Sequence, residues 1–184
     1  MAKLISVISG YALLLYLFIL ASLNLYEPTR YFNLPGLLWF THLMLLYIHE
    51  AGHLIFSIFG RTINILGGSL NQILVPLVWF IVAKREESKL SDAALFFTGI
   101  SIMDVSIYVK DAGMLKLPLI GGLSKSHHDW ANLMRDWGTM EYSYAFGEFL
   151  FWCGIIACSY GLVNGVRKAF LEYRENPTGI SSYE

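Results

Sequence analysis

The chain of 184 residues is 55% hydrophobic and only 15% charged, with a formal net charge of -1 and a mean hydropathy of +0.52. Soluble domains carry nearer about 25% charged residues, so a water-soluble globular fold is excluded, and the lack of any basic block argues against a nucleic-acid partner. The composition calls for a multi-pass membrane protein with the lipid bilayer as its principal partner, an all-α polytopic helical bundle of about five transmembrane helices forming one domain over 1–184.

Met1-Ala2-Lys3 precedes an apolar run that predicts a helix over about 4–25. Signal peptides share this short basic start, but the run exceeds a typical h-region and no small-x-small cleavage site follows, so it is expected to be retained as a first span. Glu27-Pro28-Thr29-Arg30 marks a loop, and Pro35-Gly36 opens a second helix over about 36–59, closed by Gly60 with Arg61 near its end.

The second helix contains His49-Glu50-Ala51-Gly52-His53, the pattern H-E-x-x-H. Residues four apart project from one helix face, so the two imidazoles can hold one Zn2+ at about 2.0–2.1 Å each. Glu50 lies about a quarter turn away, placed to take a proton from a water on the metal, the arrangement of a metalloprotease. Ionisable residues are costly at membrane depth, so three within five positions point to function rather than chance. His42, seven residues earlier and about 10 Å deeper on the same face, is expected to pack through a hydrogen bond rather than to bind the metal.

The stretch 62–72, with Gly67-Gly68 followed by Asn71-Gln72, reads either as a broken or re-entrant segment lining a cavity or as a plain loop before a third helix over about 70–83. Lys84-Arg85-Glu86-Glu87-Ser88-Lys89 must lie outside the bilayer. A fourth helix over about 90–109 carries Asp104. His49 and His53 lie thirteen and seventeen residues beyond Gly36, and the same window counted from Leu90 includes Asp104. An intramembrane Asp at that depth is a candidate ligand or outer partner. Asp111 shares its face nearer the surface.

The loop 110–143 holds Ser126-His127-His128-Asp129-Trp130 and the only other histidines of the chain. Long loops without periodicity are more often functional than filler. A catalytic zinc normally takes three protein ligands and leaves one position open, and His128 is the expected third ligand, with Asp104 and Asp129 as rivals or outer partners. Asp129 also reads as the cap of a short helix through Trp137. A last helix over about 144–166 contains Cys153 and Cys158, which are expected to pack rather than to pair, and the polar tail through Glu184 is expected to fray. Five alternating spans would put the termini on opposite sides, with six against seven basic residues flanking them, no bias from which to orient the chain.

The H-E-x-x-H motif inside a membrane helix, followed by a Gly-Gly stretch and a second polar membrane helix, resembles the site-2-protease-type intramembrane metalloproteases. The resemblance covers 36–60 closely and 61–110 in outline. It implies two His and a membrane-helix Asp on zinc with Glu activating water, roles that fall on His49, His53, Asp104 and Glu50. The family's Asp sits in an Asn-Pro…Leu-Asp-Gly setting, whereas Asp104 lies in Ile102-Met103-Asp104-Val105. The expected function is intramembrane zinc proteolysis of a membrane-protein or peptide substrate, with Gly67-Gly68 available to pair with an extended peptide. The alternatives are a zinc hydrolase of a lipid amide or ester, and a non-catalytic protein that keeps the metal for structure or sensing. A di-iron site needs more than the five histidines present. Glu50 separates enzyme from scaffold, because a structural site has no need of a carboxylate beside an open metal position.

Overall fold

The computed structural model describes residues 2–29 and 32–175, with side chains from Ile8 onward in the first helix. Arg30 and the tail beyond Glu175 lie outside the described residues. The chain forms α1 (Ala2–Asn24), α2 (Gly36–Phe56), α3 (Arg61–Arg85), α4 (Ser91–Asp111), a short α5 (Asp129–Trp137) and α6 (Ser143–Glu175), with no strand among the described residues. Four segments, Gly36–Phe59, Arg61–Arg85, Ser91–Asp111 and Met140–Glu175, are long and apolar enough to cross a bilayer, and Ile8–Asn24 is a shorter apolar helix. The all-α bundle expected from composition is therefore the observed fold.

The central member is α4, buried over 72% of its most apolar stretch against 17–28% for the other three spans. It packs antiparallel to α6 along a seam of small residues. Gly147, Gly154 and Gly161 recur every seven positions, and an added Cβ would meet Ser106 O at 2.8 Å, Gly99 O at 2.7 Å and Asp92 O at 2.6 Å respectively. Backbones this close exclude any side chain, and in lipid such van der Waals contact is a main source of helix association. Cys158 seals the seam, its Sγ donating to Phe96 O at 3.3 Å, the packing role expected for it. At one end the fully buried Lys110 finds Glu148, the Tyr26 carbonyl at 2.7 Å and the Tyr26 and Phe151 rings at 4.4 and 4.8 Å.

Direction along the bundle departs from simple alternation. Gly165 near the end of α6 makes room for the Tyr11 ring, whereas Tyr26, just beyond α1, packs edge-on against Phe151 near the start of α6. Thus α1 is antiparallel to α6 and runs the same way as α4 and α2. The start of α1 and the end of α6 share one end of the bundle, and Phe32, ahead of α2, lies 5.4 Å from the His42 ring.

The third helix also differs from expectation. It begins at Arg61 and is continuous through 62–72, so there is neither break nor re-entrant turn there. The tight α2–α3 connection turns on Gly60, whose φ of 84° suits glycine alone. Gly67 and Gly68 lie in the contact face toward α2, not in a turn. Pro76 sits mid-helix and leaves the Gln72 carbonyl without its usual N–H donor. The Ser101 hydroxyl of α4 supplies the missing hydrogen bond at 2.7 Å, the kind of substitution that makes proline tolerable in membrane helices.

The α4–α6 seam yields a stability test. Gly154→Val is expected to cost about 1–3 kcal/mol through backbone overpacking, read as a lowered unfolding midpoint in detergent. Ile156→Val on the outer face, 67% exposed, should stay within about 0.5 kcal/mol.

Candidate metal centre

The site is built where α2 and α3 come closest. Gly52 of the motif faces the Gly67 carbonyl directly, and a Cβ there would also lie 2.7 Å from Asn71 Cβ. Two amides lock the approach: Asn71 Nδ2 donates to Ile48 O at 2.7 Å, and Asn64 Nδ2 donates to His53 O at 2.7 Å. The motif helix is thereby fixed in rotation and height against α3.

Each imidazole then has one nitrogen assigned. His49 Nδ1 donates to Gln72 Oε1 at 3.1 Å, while Gln72 Nε2 donates to Asp104 Oδ2 at 2.8 Å, which settles the orientation of the amide. His53 Nδ1 donates to the Asn64 carbonyl at 2.8 Å. Both Nε2 atoms are left to face one carboxylate oxygen, Asp129 Oδ2, at 3.0 Å from His49 and 3.3 Å from His53. The three donor atoms all lie within 4.8 Å of one another, a group that can hold a metal ion. Two nitrogen donors and a carboxylate match a zinc donor set that leaves a fourth position open. The space between them depends on Gly68, since a Cβ there would stand 2.6 Å from His53 Nε2 and closer still to His49 Nε2.

Asp129 is held in place from both sides. Preceding it, His128 is fully buried and caps α5, its Nδ1 accepting from Ala131 N at 3.2 Å and its Nε2 donating to Asp111 Oδ2 at 3.3 Å. Its ring stacks on Tyr108 at 4.7 Å. Following it, the Trp130 indole donates to Ser69 Oγ at 3.0 Å, tying α5 to α3 beside Gly68. At the far end of α5, Asp136 pairs with Arg61. Burial pushes the Asp129 carboxyl up, but its close contacts with the His49 and His53 rings outweigh it and hold the group at about 2. The first turn of α5 also favours the negative charge.

Of the residues singled out from sequence, the structure brings together His49, His53, Glu50 and Asp129. His128, the expected third ligand, has both ring nitrogens engaged elsewhere and points away from the pair. The helix 129–137 is as expected, but its cap is His128, one residue earlier than Asp129. Asp104 stands one residue removed from His49, behind Gln72, and its other oxygen takes His42 Nδ1 at 2.7 Å. His42 therefore has the hydrogen-bonded packing role expected of it. Asn64 and Asp111 were not expected as parts of the site, and Gly68 was expected to pair with a peptide rather than to clear space for the donor group. Asn64, Gly68 and Gln72, each four residues apart, share one face of α3, a helical stripe legible in the sequence.

Around this group lies a cavity of about 240 Å³ lined by Glu50, His42, Asn64, Asp104, Tyr108 and the loop residues Leu119 and His127 among others. An apolar cleft of about 230 Å³ adjoins it, sharing His42, Leu46, Tyr108, Leu119 and Ile120 and extending to Phe32, Trp39 and Leu117. Comparison with protein-family models, curated proteins and solved structures gave no match.

On this geometry a metal titration is expected to rank Asp129→Ala with His49→Ala and His53→Ala as near-complete losses, whereas His128→Ala retains affinity at the cost of α5 stability. Gly68→Ala should abolish metal uptake while leaving helix content unchanged. Gln72→Leu, which frees the His49 ring, should weaken affinity about 10–100-fold.

Proposed function

We propose that this protein is a membrane-embedded zinc-dependent hydrolase that cleaves a peptide bond in or near the bilayer, with Glu50 as general base. One observation carries the reading: two imidazole nitrogens with fixed tautomers and a carboxylate converge on a space that a single Cβ at Gly68 would fill. A divalent ion there supplies Lewis acidity, lowering the pKa of water and polarising a carbonyl. His49, His53 and Asp129 would hold it. Glu50 lines the same cavity without joining the donor group, so its carboxylate is free to take a proton from the attacking water and pass it to the leaving nitrogen. The chain Asp104–Gln72–His49 keeps the imidazole oriented.

A second reading, hydrolysis of a lipid amide or ester by the same residues, is favoured by three observations. There is no strand edge among the described residues, and Gly67-Gly68 is packed inside a helix where it cannot pair with an extended peptide. The apolar cleft beside the cavity also has the lining that an acyl chain requires.

Glu50→Gln keeps shape and hydrogen bonding but removes the base. Metal content should be unchanged while turnover falls by roughly 10²–10⁴. Profiling both peptides and lipids of membranes carrying wild type or Glu50→Gln separates the two readings. New peptide termini confined to wild type support proteolysis, and loss of a lipid amide or ester supports the second. Equal profiles in both classes would overturn hydrolysis.

A further inference from the structure

Most hydrogen-bond donors that line the cavity are already committed. Asn64 Nδ2 serves His53 O, Gln72 Nε2 serves Asp104, and His42 Nδ1 serves Asp104 as well. The Tyr108 hydroxyl is different. It makes no hydrogen bond to any described residue. It is not sealed off either, because no buried side-chain polar atom of the described residues lacks a partner. The hydroxyl is therefore accessible, and the residue lines both the cavity and the adjoining cleft.

Its ring is rigidly placed. It stacks on His128 with centroids 4.7 Å apart and planes at 25°, and His128 is itself pinned by Asp111 and Ala131 N. The same ring lies 6.4 Å from that of His49, across the gap between α4 and α2. A phenylalanine would fill this stack equally well, and would avoid placing an unpaired hydroxyl in a half-buried wall. Three carboxylates, Glu50, Asp104 and Asp129, line the cavity beside four histidines. Negative charge developing on a substrate oxygen among three carboxylates needs a preorganised donor.

We infer that Tyr108 is a further catalytic residue, its O–H donating to the oxygen on which charge develops when the scissile carbonyl is attacked. This rests on the hydrolase reading above. In the step, the water oxygen bonds to the carbonyl carbon, the C=O π pair moves onto its oxygen, and the water proton goes to Glu50. The pair then returns, the bond to the leaving nitrogen or oxygen breaks, and Glu50 delivers the proton to that atom. Tyr108 keeps its own proton throughout and contributes a hydrogen bond that strengthens with the charge.

The test compares wild type and Tyr108→Phe, each loaded with Co2+ and titrated with two probes followed by visible absorption. Phenylphosphonate presents a tetrahedral anionic group with an oxygen to spare for the phenol, whereas azide is a linear ligand that reaches only the metal. Both proteins should take up about one ion with similar affinity, and azide should bind them within about twofold. Phenylphosphonate should bind the variant about ten- to a hundredfold more weakly, the effect of one hydrogen bond to a charged group. Unchanged phenylphosphonate affinity in a variant that loads normally would overturn the role of Tyr108 alone, as would failure of the variant to take up the ion. Failure of wild type to take up the ion would overturn the hydrolase reading itself.

Discussion

Everything at the site follows from how closely α2 can approach α3. Two helices carrying ordinary side chains stand about 8–10 Å apart, and the contact face here is stripped of Cβ atoms at Gly52, Gly67 and Gly68. Asn64 and Asn71 then fasten the backbones with hydrogen bonds to carbonyls of the partner helix. Only with that spacing does Gln72 reach His49, and only with Gly68 bare do both Nε2 atoms have a shared space in front of them. The same glycine-based contact on the other side, between α4 and α6, holds the helix that supplies Asp104 and Tyr108.

Polar groups inside apolar helices are costly unless paired, and here the pairings form continuous chains. The Ser101 hydroxyl occupies the Gln72 carbonyl that Pro76 leaves free. Gln72 connects His49 to Asp104, and Asp104 connects onward to His42. No buried side-chain nitrogen or oxygen among the described residues is left without a partner. A network with every member satisfied fixes a single arrangement of its rings. That rigidity lets a ligand set assembled from separate elements hold one geometry.

The bundle and the motif were legible in the sequence because both depend on local signals: apolar runs long enough to span lipid, and a four-residue spacing that only a helix turns into one face. Gly67-Gly68 misled because paired glycines break helices in water, whereas between membrane helices they form contact surfaces. The spacing of Asn64, Gly68 and Gln72 already carried the helical period. The choice between His128 and Asp129 was not legible. Neighbouring residues at a helix start point about 100° apart, and which one faces the histidines is settled by Tyr108, Asp111 and Ser69, all distant in sequence. The direction of α1 was likewise hidden, since it depends on what Gly165 and Phe151 accept rather than on any property of α1 itself.

The placement of Asp129 has a consequence for how the molecule matures. It belongs to α5, outside the spanning helices, while the two imidazoles belong to α2. On the proposed reading, an ion shared among them would tie the extramembrane segment to the bundle and close a long loop of chain. Occupancy and docking of that segment then become one linked equilibrium. The contacts of His128, Trp130 and Asp136 already dock α5, so the donor group on α2 would reach its full affinity only after the later part of the chain has folded onto it.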